Sequence, residues 1–276
     1  MRTKIPLDTR IREFAEKLAA STDAARTSDE LLAYLQFAAS FHHYSLHNTL
    51  LIFMQKPDAT RVAGFHAWKS LGRYVRKGEK GIAIMAPIRV KANDNGQEDD
   101  AEAEGGVIGF RTVYVFDVEQ TEGEPLPPDL CVSRASCSEE LTEALVSFAR
   151  AQEINVEFTA VDGGAYGRSK GGLVEVDDGL ESADRFAVLL HELAHEFLNH
   201  RHRRSELDRK TREIEAETVA HIVCHHFGVA TAAPNYLALN GADGKEVIER
   251  LEHIVGTIHS LIHGITSHQE IPAQSA

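Results

Sequence analysis

The pattern His191-Glu192-Leu193-Ala194-His195 limits what this chain can fold into more than any other feature of its sequence. It lies within Ser182 to Asn199, a segment that predicts a helix. Residues four apart share one face of a helix, so both imidazoles can bind one metal ion, with Glu192 beside them as a general base. H-E-x-x-H on a helix is typical of zinc hydrolases. Fifteen of the 276 residues are histidines, so chance can produce the pattern, and its context must be considered.

A hydrolytic zinc site needs a third protein ligand. In the class that uses a third histidine, Gly and His would occupy positions 198 and 201, which are Leu198 and Arg201 here. His200 and His202 flank the required place, but their surroundings are typical of a polar helix end. The sequence therefore favours the class in which a glutamate from a second helix completes the site.

The second helix is predicted from Thr211 to Cys224, and one of its faces carries carboxylates separated by small residues. The members of this face are Glu213, Ala216, Glu217, Ala220 and Cys224. Small residues let helices approach closely, and buried carboxylates need a cation or a donor. We predict Glu213 as the third zinc ligand and Glu217 as the acceptor for a ring N–H of a ligating histidine. Glu215 is expected to be solvated, although it stays open as the alternative ligand, and a solvated acidic face is the simpler interpretation.

These residues would support peptide hydrolysis. A zinc ion lowers the pKa of its bound water toward about 7 and polarises the scissile carbonyl. Glu192 would take the proton and pass it to the leaving nitrogen. The alternating stretch from Gly171 to Asp177 predicts a half-exposed edge strand that could hold an extended peptide. Tyr166 is a candidate oxyanion donor, with an ordinary turn residue as the alternative.

The composition favours a soluble cytoplasmic enzyme. A chain with 43% apolar residues can bury a substantial core, and its length suggests two domains. No apolar run is long enough to cross a membrane, so no membrane partner is expected, and the first residues lack a secretory apolar segment. Cys131, Cys137 and Cys224 have no metal-binding spacing, which indicates free thiols in a reducing compartment.

The domain boundary is predicted near residue 130. The segment Thr121 to Asp129 contains three prolines and a glycine, a composition that favours an extended linker. We therefore expect one domain over residues 1–128 and a second over residues 129–276. In the second, a further helix is predicted from Lys245 to Ile265, followed by a polar tail.

The first domain is predicted to begin with two helices, at about Asp8 to Ala20 and Ser28 to Met54. Two strand-like runs follow, Gly81 to Val90 and Val107 to Val118. The residues between them, 92–106, include six acids and no base and show no apolar periodicity. We expect a mobile acidic hairpin loop there.

The stretch from Arg61 to Lys80 has six bases and one acid, in a chain whose net charge is −13. Aromatic residues are interleaved with these basic residues. Basic side chains can attract the phosphates of a nucleic acid, and aromatic rings can stack on its unpaired nucleobases. The simpler interpretation is a solvated face over ordinary core aromatics. The candidate phosphate contacts are Lys69, Arg73, Arg76, Lys77 and Lys80, and the candidate stacking residues are Trp68 and Tyr74.

Two groups of motifs carry a family resemblance. Four segments occur in a recognisable order: Ser45 to Ile52, Val62 to Trp68, Gly72 to Gly81 and Val115 to Gly123. They resemble the N-terminal domain of ArdC-type antirestriction proteins. The H-E-L-A-H pattern with its downstream glutamates resembles the zincin-like peptidase domain of the same proteins and, more loosely, the ImmA/IrrE metallopeptidases.

The resemblance implies an α+β chain, with an N-terminal α/β DNA-binding domain followed by a zincin-like metallopeptidase domain. It also implies Zn²⁺ completed by Glu213, single-stranded DNA as a partner, and protection of incoming mobile DNA such as a plasmid. Two functions follow. The chain is a zinc peptidase that is brought to single-stranded DNA and acts on an unknown peptide or protein substrate, or it protects DNA by binding alone, with a structural or dispensable zinc site.

Overall fold

The computed structural model describes residues 24–89, 107–126, 138–231 and 244–269, with the single positions 9 and 13. The chain divides into two compact units. The β-rich unit is residues 47–126, and the helical unit combines residues 1–46 with residues 127–276. The helical unit is therefore discontinuous in sequence, which differs from the predicted division at residue 128. The helix predicted from Ser28 to Met54 is two helices, and the chain passes from one unit to the other near the break.

In the described ranges 47–89 and 107–126, the β-rich unit contains two short helices and five strands. Its elements are α2 (Leu46–Gln55), β1 (Val62–Gly64), α3 (Phe65–Ser70), β2 (Arg73–Val75), β3 (Ile82–Arg89), β4 (Val107–Asp117) and β5 (Thr121–Gly123). One sheet has the order β1-β4-β3, and a second pairs β2 with β5, all antiparallel. The predicted hairpin strands are confirmed as β3 and β4. The predicted acidic loop lies outside the described residues.

Two amide side chains of α2 bind the outer edge of β3. Asn48 accepts from the Met85 N–H at 2.9 Å and donates to the Met85 carbonyl at 2.9 Å. Gln55 makes the same pair of bonds with Ala83, at 3.0 and 2.9 Å. An unpaired strand edge is prone to pairing with other chains, and these bonds satisfy two of its residues within the unit.

Within the described residues, the helical unit contains five helices and a small sheet. Its elements are α1 (Ala24–Ser40), α4 (Ser138–Ala151), β6 (Asn155–Phe158), β7 (Gly167–Ser169), β8 (Leu173–Val176), α5 (Ser182–Phe197), α6 (Arg209–His226) and α7 (Gly244–Gln269). Helix α4 packs on α5 and α7, and α1 packs on α6 and α7. The predicted metal helix, second helix and last helix are confirmed as α5, α6 and α7. None of the described helices combines the length and apolar character needed to cross a membrane.

The sheet of the helical unit has the order β6-β8-β7. Strand β8 pairs in parallel with β6 and antiparallel with β7, so it is the central strand. The prediction of an edge strand at residues 171–177 is therefore wrong. Alternation of apolar and polar residues indicates that one face of a strand is covered, and it does not indicate whether the strand has a neighbouring strand on each side. The edge strand beside α5 is β7.

Some predictions fall outside the described residues. These are the helix at 8–20 apart from two single positions, the end of the linker at 127–129, Cys131, Cys137 and the tail from residue 270. Cys224 is a buried free thiol, in agreement with the sequence. Burial raises its pKa to about 12, which leaves it protonated and unreactive at neutral pH.

Candidate metal centre

Helix α5 forms because its apolar residues recur at intervals of three and four. Phe186, Leu189, Leu190, Leu193 and Ala194 are all fully buried. This packing turns the neighbouring face, with His191 and His195, toward α6.

Helix α6 begins at a conventional cap. Asp208 accepts a hydrogen bond from the Thr211 N–H at 2.7 Å, which satisfies one of the free donors of the first turn. Glu213 lies within the next turn. Ala216 and Ala220 are buried and carry no bulk, so α6 can pack closely on α5. The carboxylate of Glu213 thereby reaches the two histidines.

The three predicted ligands meet at one point. The Oε2 atom of Glu213 lies 3.6 Å from Nε2 of His191 and 3.6 Å from Nε2 of His195. The two Nε2 atoms are 3.2 Å apart. Two imidazoles and one carboxylate form the protein donor set of catalytic zinc sites, which leave one position open for water. These residues therefore fit a divalent metal ion.

Glu192 lies beside these ligands in a crowded place. A side chain at Gly167 would come within 2.7 Å of its Cγ atom, so the glycine leaves the space that the carboxylate occupies. The Ser169 backbone N–H donates to this carboxylate. Burial, assisted by the negative charge of Glu213, raises the pKa of Glu192 to about 7.

Glu196, one turn beyond Glu192, joins α5 to the turn between β7 and β8. Its carboxylate accepts from the backbone N–H groups of Gly171 and Gly172, at 2.8 and 2.9 Å, and from the Ser169 hydroxyl. These bonds hold edge strand β7 next to the metal helix. This role of Glu196 is not among the sequence predictions, although its position four residues after Glu192 indicates the same helix face.

A chain of hydrogen bonds leads from His195 to a buried ion pair. Nδ1 of His195 lies 2.8 Å from Nδ1 of His200, and Nε2 of His200 lies 3.2 Å from Oε2 of Glu215. The other oxygen of Glu215 accepts from Nε and Nη2 of Arg250, at 3.0 and 2.8 Å. If Nε2 of His195 faces a metal, His195 donates through Nδ1, and His200 accepts there and donates to Glu215.

The backbone explains why His200 reaches this position. Asn199 has φ = 55°, a left-handed conformation that asparagine tolerates and that commonly ends helices. The His200 N–H then donates to the His195 carbonyl at 3.0 Å, so its ring folds back against α5. The description of this segment as a polar helix end is wrong for His200, which is buried.

The glutamates of α6 divide their roles differently from the prediction. Glu215, expected to be solvated, is only 1% exposed and accepts a hydrogen bond from His200, which links it to the candidate ligand His195. Glu217 acts on His191 only through its charge, and within the described residues no hydrogen bond joins it to either ligating ring. The missed indication is that Glu215 shares a face with buried Val219 and Ile222.

The candidate ligands His195 and Glu213 line a cavity of about 650 Å³. Strand β7, the end of α5 and the start of α6 line it, and the lining contains five arginines: Arg168, Arg201, Arg204, Arg209 and Arg212. Burial, with His191, His200 and Arg212 adding to it, lowers the pKa of His195 to about 3. Tyr166 is 65% exposed and is not among the lining residues, so the structure does not support it as an oxyanion donor.

The predicted DNA contacts of the β-rich unit fall into three groups. Lys69, Lys77, Lys80 and Tyr74 are exposed. Arg76 is paired with Glu79 at 2.9 Å, and Arg73 bonds Thr121 and the Glu124 carbonyl, which fixes β2 against β5. Trp68 is 2% exposed and its ring N–H donates to the Phe116 carbonyl at 2.8 Å, so its prediction as a stacking residue is wrong.

Strand β4 displays aromatic rings that the sequence analysis did not select. Phe110 and Tyr114 are both more than half exposed, and their even spacing places them on one face of the sheet. Alternation along Val107 to Asp117 predicts such a face. It does not tell which of the two faces the rest of the unit covers.

The two units together define a class of protein: a β-rich unit with exposed bases and aromatic rings, inserted into a helical unit that carries an HExxH-plus-glutamate ligand set. Comparison with known protein families and structures identifies similar proteins within this class. Residues 9–116 match the family described as the N-terminal domain of anti-restriction factor ArdC. In this part the chain is similar to the ArdC family, and the predicted resemblance is confirmed there.

Other relatives are more distant. The uncharacterized protein pXO2-81 of Bacillus anthracis is 26% identical over 309 aligned residues, which cover 96% of this chain. The chain spans about half (52%) of the length of that curated relative. The metal-free crystal structure of the antirestriction protein ArdC from plasmid R388 has a TM-score of 0.44 and 19% identity, covering 82% of this chain and 84% of that one. Its Mn(II)-bound structure has a TM-score of 0.41 and 15% identity, covering 88% and 99%.

Proposed function

We propose that the helical unit is a divalent-metal peptidase, with Zn²⁺ as the expected ion. The observation that supports this proposal is the meeting of His191, His195 and Glu213 beside a half-buried Glu192. A structural zinc site is usually closed by four protein ligands and needs no carboxylate base. Three ligands beside an open cavity favour a site that handles a substrate.

In the proposed reaction, an extended peptide lies along edge strand β7, next to Glu192. A divalent ion held by the three ligands would supply Lewis acidity, which lowers the pKa of a water molecule and polarises a carbonyl. Glu192 takes a proton from the attacking water and transfers it to the leaving nitrogen, so water adds across the amide bond and two products form. The Ser169 N–H keeps the carboxylate oriented between these two transfers.

We further propose that the β-rich unit binds single-stranded DNA. The family name attached to residues 9–116 supports an antirestriction role, and such a role requires access to DNA. Lys69, Lys77 and Lys80 can contact phosphates. Tyr74, Phe110 and Tyr114 are exposed rings on which unpaired bases can stack.

In this proposal the peptidase acts at incoming mobile DNA that is exposed to restriction, and its activity helps to protect that DNA. The alternative is a protein that protects DNA by binding alone, with a metal site that is structural or dispensable. The exposed bases and rings of the β-rich unit favour this second function as much as the first.

Two variants separate these functions. Glu192→Gln should retain one metal ion per chain and lose cleavage of a fluorogenic peptide library, whereas His191→Ala should lose both. Protection is measured as plasmid transfer into a restricting host. If Glu192→Gln keeps full protection while the triple change Lys69→Gln, Lys77→Gln and Lys80→Gln removes it, the peptidase has no part in protection. Equal cleavage by Glu192→Gln and the unaltered protein would refute the peptidase itself.

A further inference from the structure

The cavity at the candidate metal centre is strongly basic in a chain that is acidic overall. Its lining includes five arginines and two glutamates, and the glutamates are Glu192 and Glu213, which already have roles. The chain as a whole carries a net charge of −13. Positive charges are therefore concentrated at this cavity although the chain as a whole is acidic. This concentration indicates a negatively charged ligand.

Three of these arginines are available to a ligand. Arg201 bonds the Lys170 carbonyl and Arg168 bonds the Asp162 carbonyl. In the part of the chain that the structure describes, Arg204, Arg209 and Arg212 have no ion-pair partner. Arg204 and Arg209 are exposed and Arg212 is half-buried. A guanidinium presents paired donors that match a carboxylate, so three of them can recognise several acidic groups at once.

The arginines share one cavity with residues of the proposed reaction. Arg168 and Arg212 line it together with Glu192, His195 and Glu213. A substrate bound at the metal would therefore lie among them.

We infer that the substrate is an acidic peptide, with Asp or Glu side chains flanking the bond that is cleaved; this rests on the proposed function. Arg204, Arg209 and Arg212 bind those carboxylates and place the intervening amide beside Glu192. Edge strand β7 lines the same cavity and offers main-chain pairing to an extended peptide.

The lining argues against a nucleic acid as the ligand of this cavity. Proteins that bind single-stranded nucleic acids combine basic side chains with aromatic rings on which the nucleotides stack. Among the described lining residues, the only rings are those of His195 and His200, and both are engaged with each other. The exposed aromatic residues Phe110 and Tyr114 lie in the other unit.

Binding is measured first, because it does not require cleavage. The full-length Glu192→Gln protein, loaded with zinc, is titrated against a fluorescein-labelled peptide of alternating Glu and Ala, a matched peptide with Lys for Glu, and oligothymidylate. The triple change Arg204→Gln, Arg209→Gln and Arg212→Gln should weaken binding of the acidic peptide by about tenfold. Arg212→Gln alone should weaken binding of the same peptide by about threefold. Arg150→Gln is the matched single-charge control, because Arg150 is exposed on α4 and outside the cavity, and it should have no effect.

The outcomes are distinct. Preference for the acidic peptide that disappears in the triple variant supports the inference. Equal binding of the Glu and Lys peptides, or unchanged binding in the triple variant, overturns it. Oligothymidylate binding that is lost with these arginines also overturns it, in favour of a nucleic-acid cavity. Cleavage by the zinc-loaded protein with Glu192 intact is measured separately: binding without cleavage of either peptide refutes the proposed function alone, and cleavage without charge preference refutes the inference alone.

Discussion

The hydrogen-bond chain from His195 to Arg250 leads to a prediction that separates the structure from the sequence-based assignment. Glu215→Gln removes a charge that receives two bonds from Arg250 and one from His200. Although burial opposes it, the His200 bond and the Arg250 charge lower the pKa of Glu215, so the native group is a carboxylate at neutral pH. The glutamine amide can satisfy only one of its two partners, because one end of it is a donor.

The consequence for metal binding follows from the ring tautomers. Because Arg250 makes two bonds to the side chain at position 215, the amide oxygen should face Arg250 and the amide N–H should face His200. His200 then no longer keeps its proton on Nε2, and a proton on Nδ1 would face the Nδ1–H of His195. His195 must then rotate or lose its bond. Loss of such a partner typically reduces metal affinity by about 10- to 100-fold. Arg250 is left buried without its counter-charge, and the free energy of unfolding should fall by about 3–5 kcal/mol.

The matched control is Glu217→Gln, one charge removed from the same helix. Its effect on the zinc dissociation constant should be no more than about threefold, because it acts only through a half-exposed charge. Affinity is measured by competition with a chromogenic chelator, and stability by urea unfolding of the metal-free protein. A large loss of affinity in Glu217→Gln with none in Glu215→Gln would refute the structural assignment and restore the one made from sequence.

Three further predictions concern other parts of the molecule. Gly167→Ala should reduce peptide cleavage at least tenfold with little change in metal content, because a methyl group within 2.7 Å of the Glu192 Cγ displaces the base; equal activity would show that Glu192 sits elsewhere. Acidification should destabilise the metal-free protein, because burial, with His43 and His226 adding to it, lowers the pKa of His42 from 6.5 to about 4. The unfolded chain binds the extra proton first, so this stability is complete above pH 6.5 and is lost as the pH falls toward 4. About 1 kcal/mol is expected for this half-buried ring, and His42→Gln should reduce the loss of stability on acidification by about that amount in urea titrations, while the other buried histidines keep their share. In the β-rich unit, Phe110→Ala with Tyr114→Ala should weaken oligothymidylate binding by about tenfold or more without loss of stability, whereas Trp68→Ala should lower the unfolding temperature; binding unchanged by the first pair excludes this face.

The candidate metal ligands could be predicted from sequence because helical spacing places two of them together and the pattern of small residues places the third nearby. His191 and His195 are one turn apart, and Glu213 lies on a neighbouring helix that small residues allow to approach. Helical spacing did not identify the position of Glu215. Helix α6 has polar residues on two of its faces, and the sequence does not show which of these faces is buried. That information comes from Arg250, which is 35 residues further along the chain and is brought close only by the packing of α7.

The basic segment shows a similar limit. Its charge and aromatic content are visible in the sequence, but a tryptophan in such a segment can face either the core or the solvent. Trp68 faces the core because its ring N–H finds the Phe116 carbonyl on a strand 48 residues away. Exposed stacking candidates arise instead on β4, where alternation indicates two faces and only the tertiary fold selects the covered one.

The discontinuity of the helical unit determines how the chain can be divided. Leu31, Tyr34, Leu35 and Ala38 of α1 are completely buried, and α1 packs on α6, the helix that carries Glu213. A fragment starting at residue 129 would lack α1 and expose the matching surface of α6 and α7, at about 1.5–3 kcal/mol for each large apolar side chain. The candidate metal centre thus depends on residues that precede the β-rich unit, and no single cut yields both units intact. A separable peptidase would need residues 24–46 supplied together with the C-terminal part.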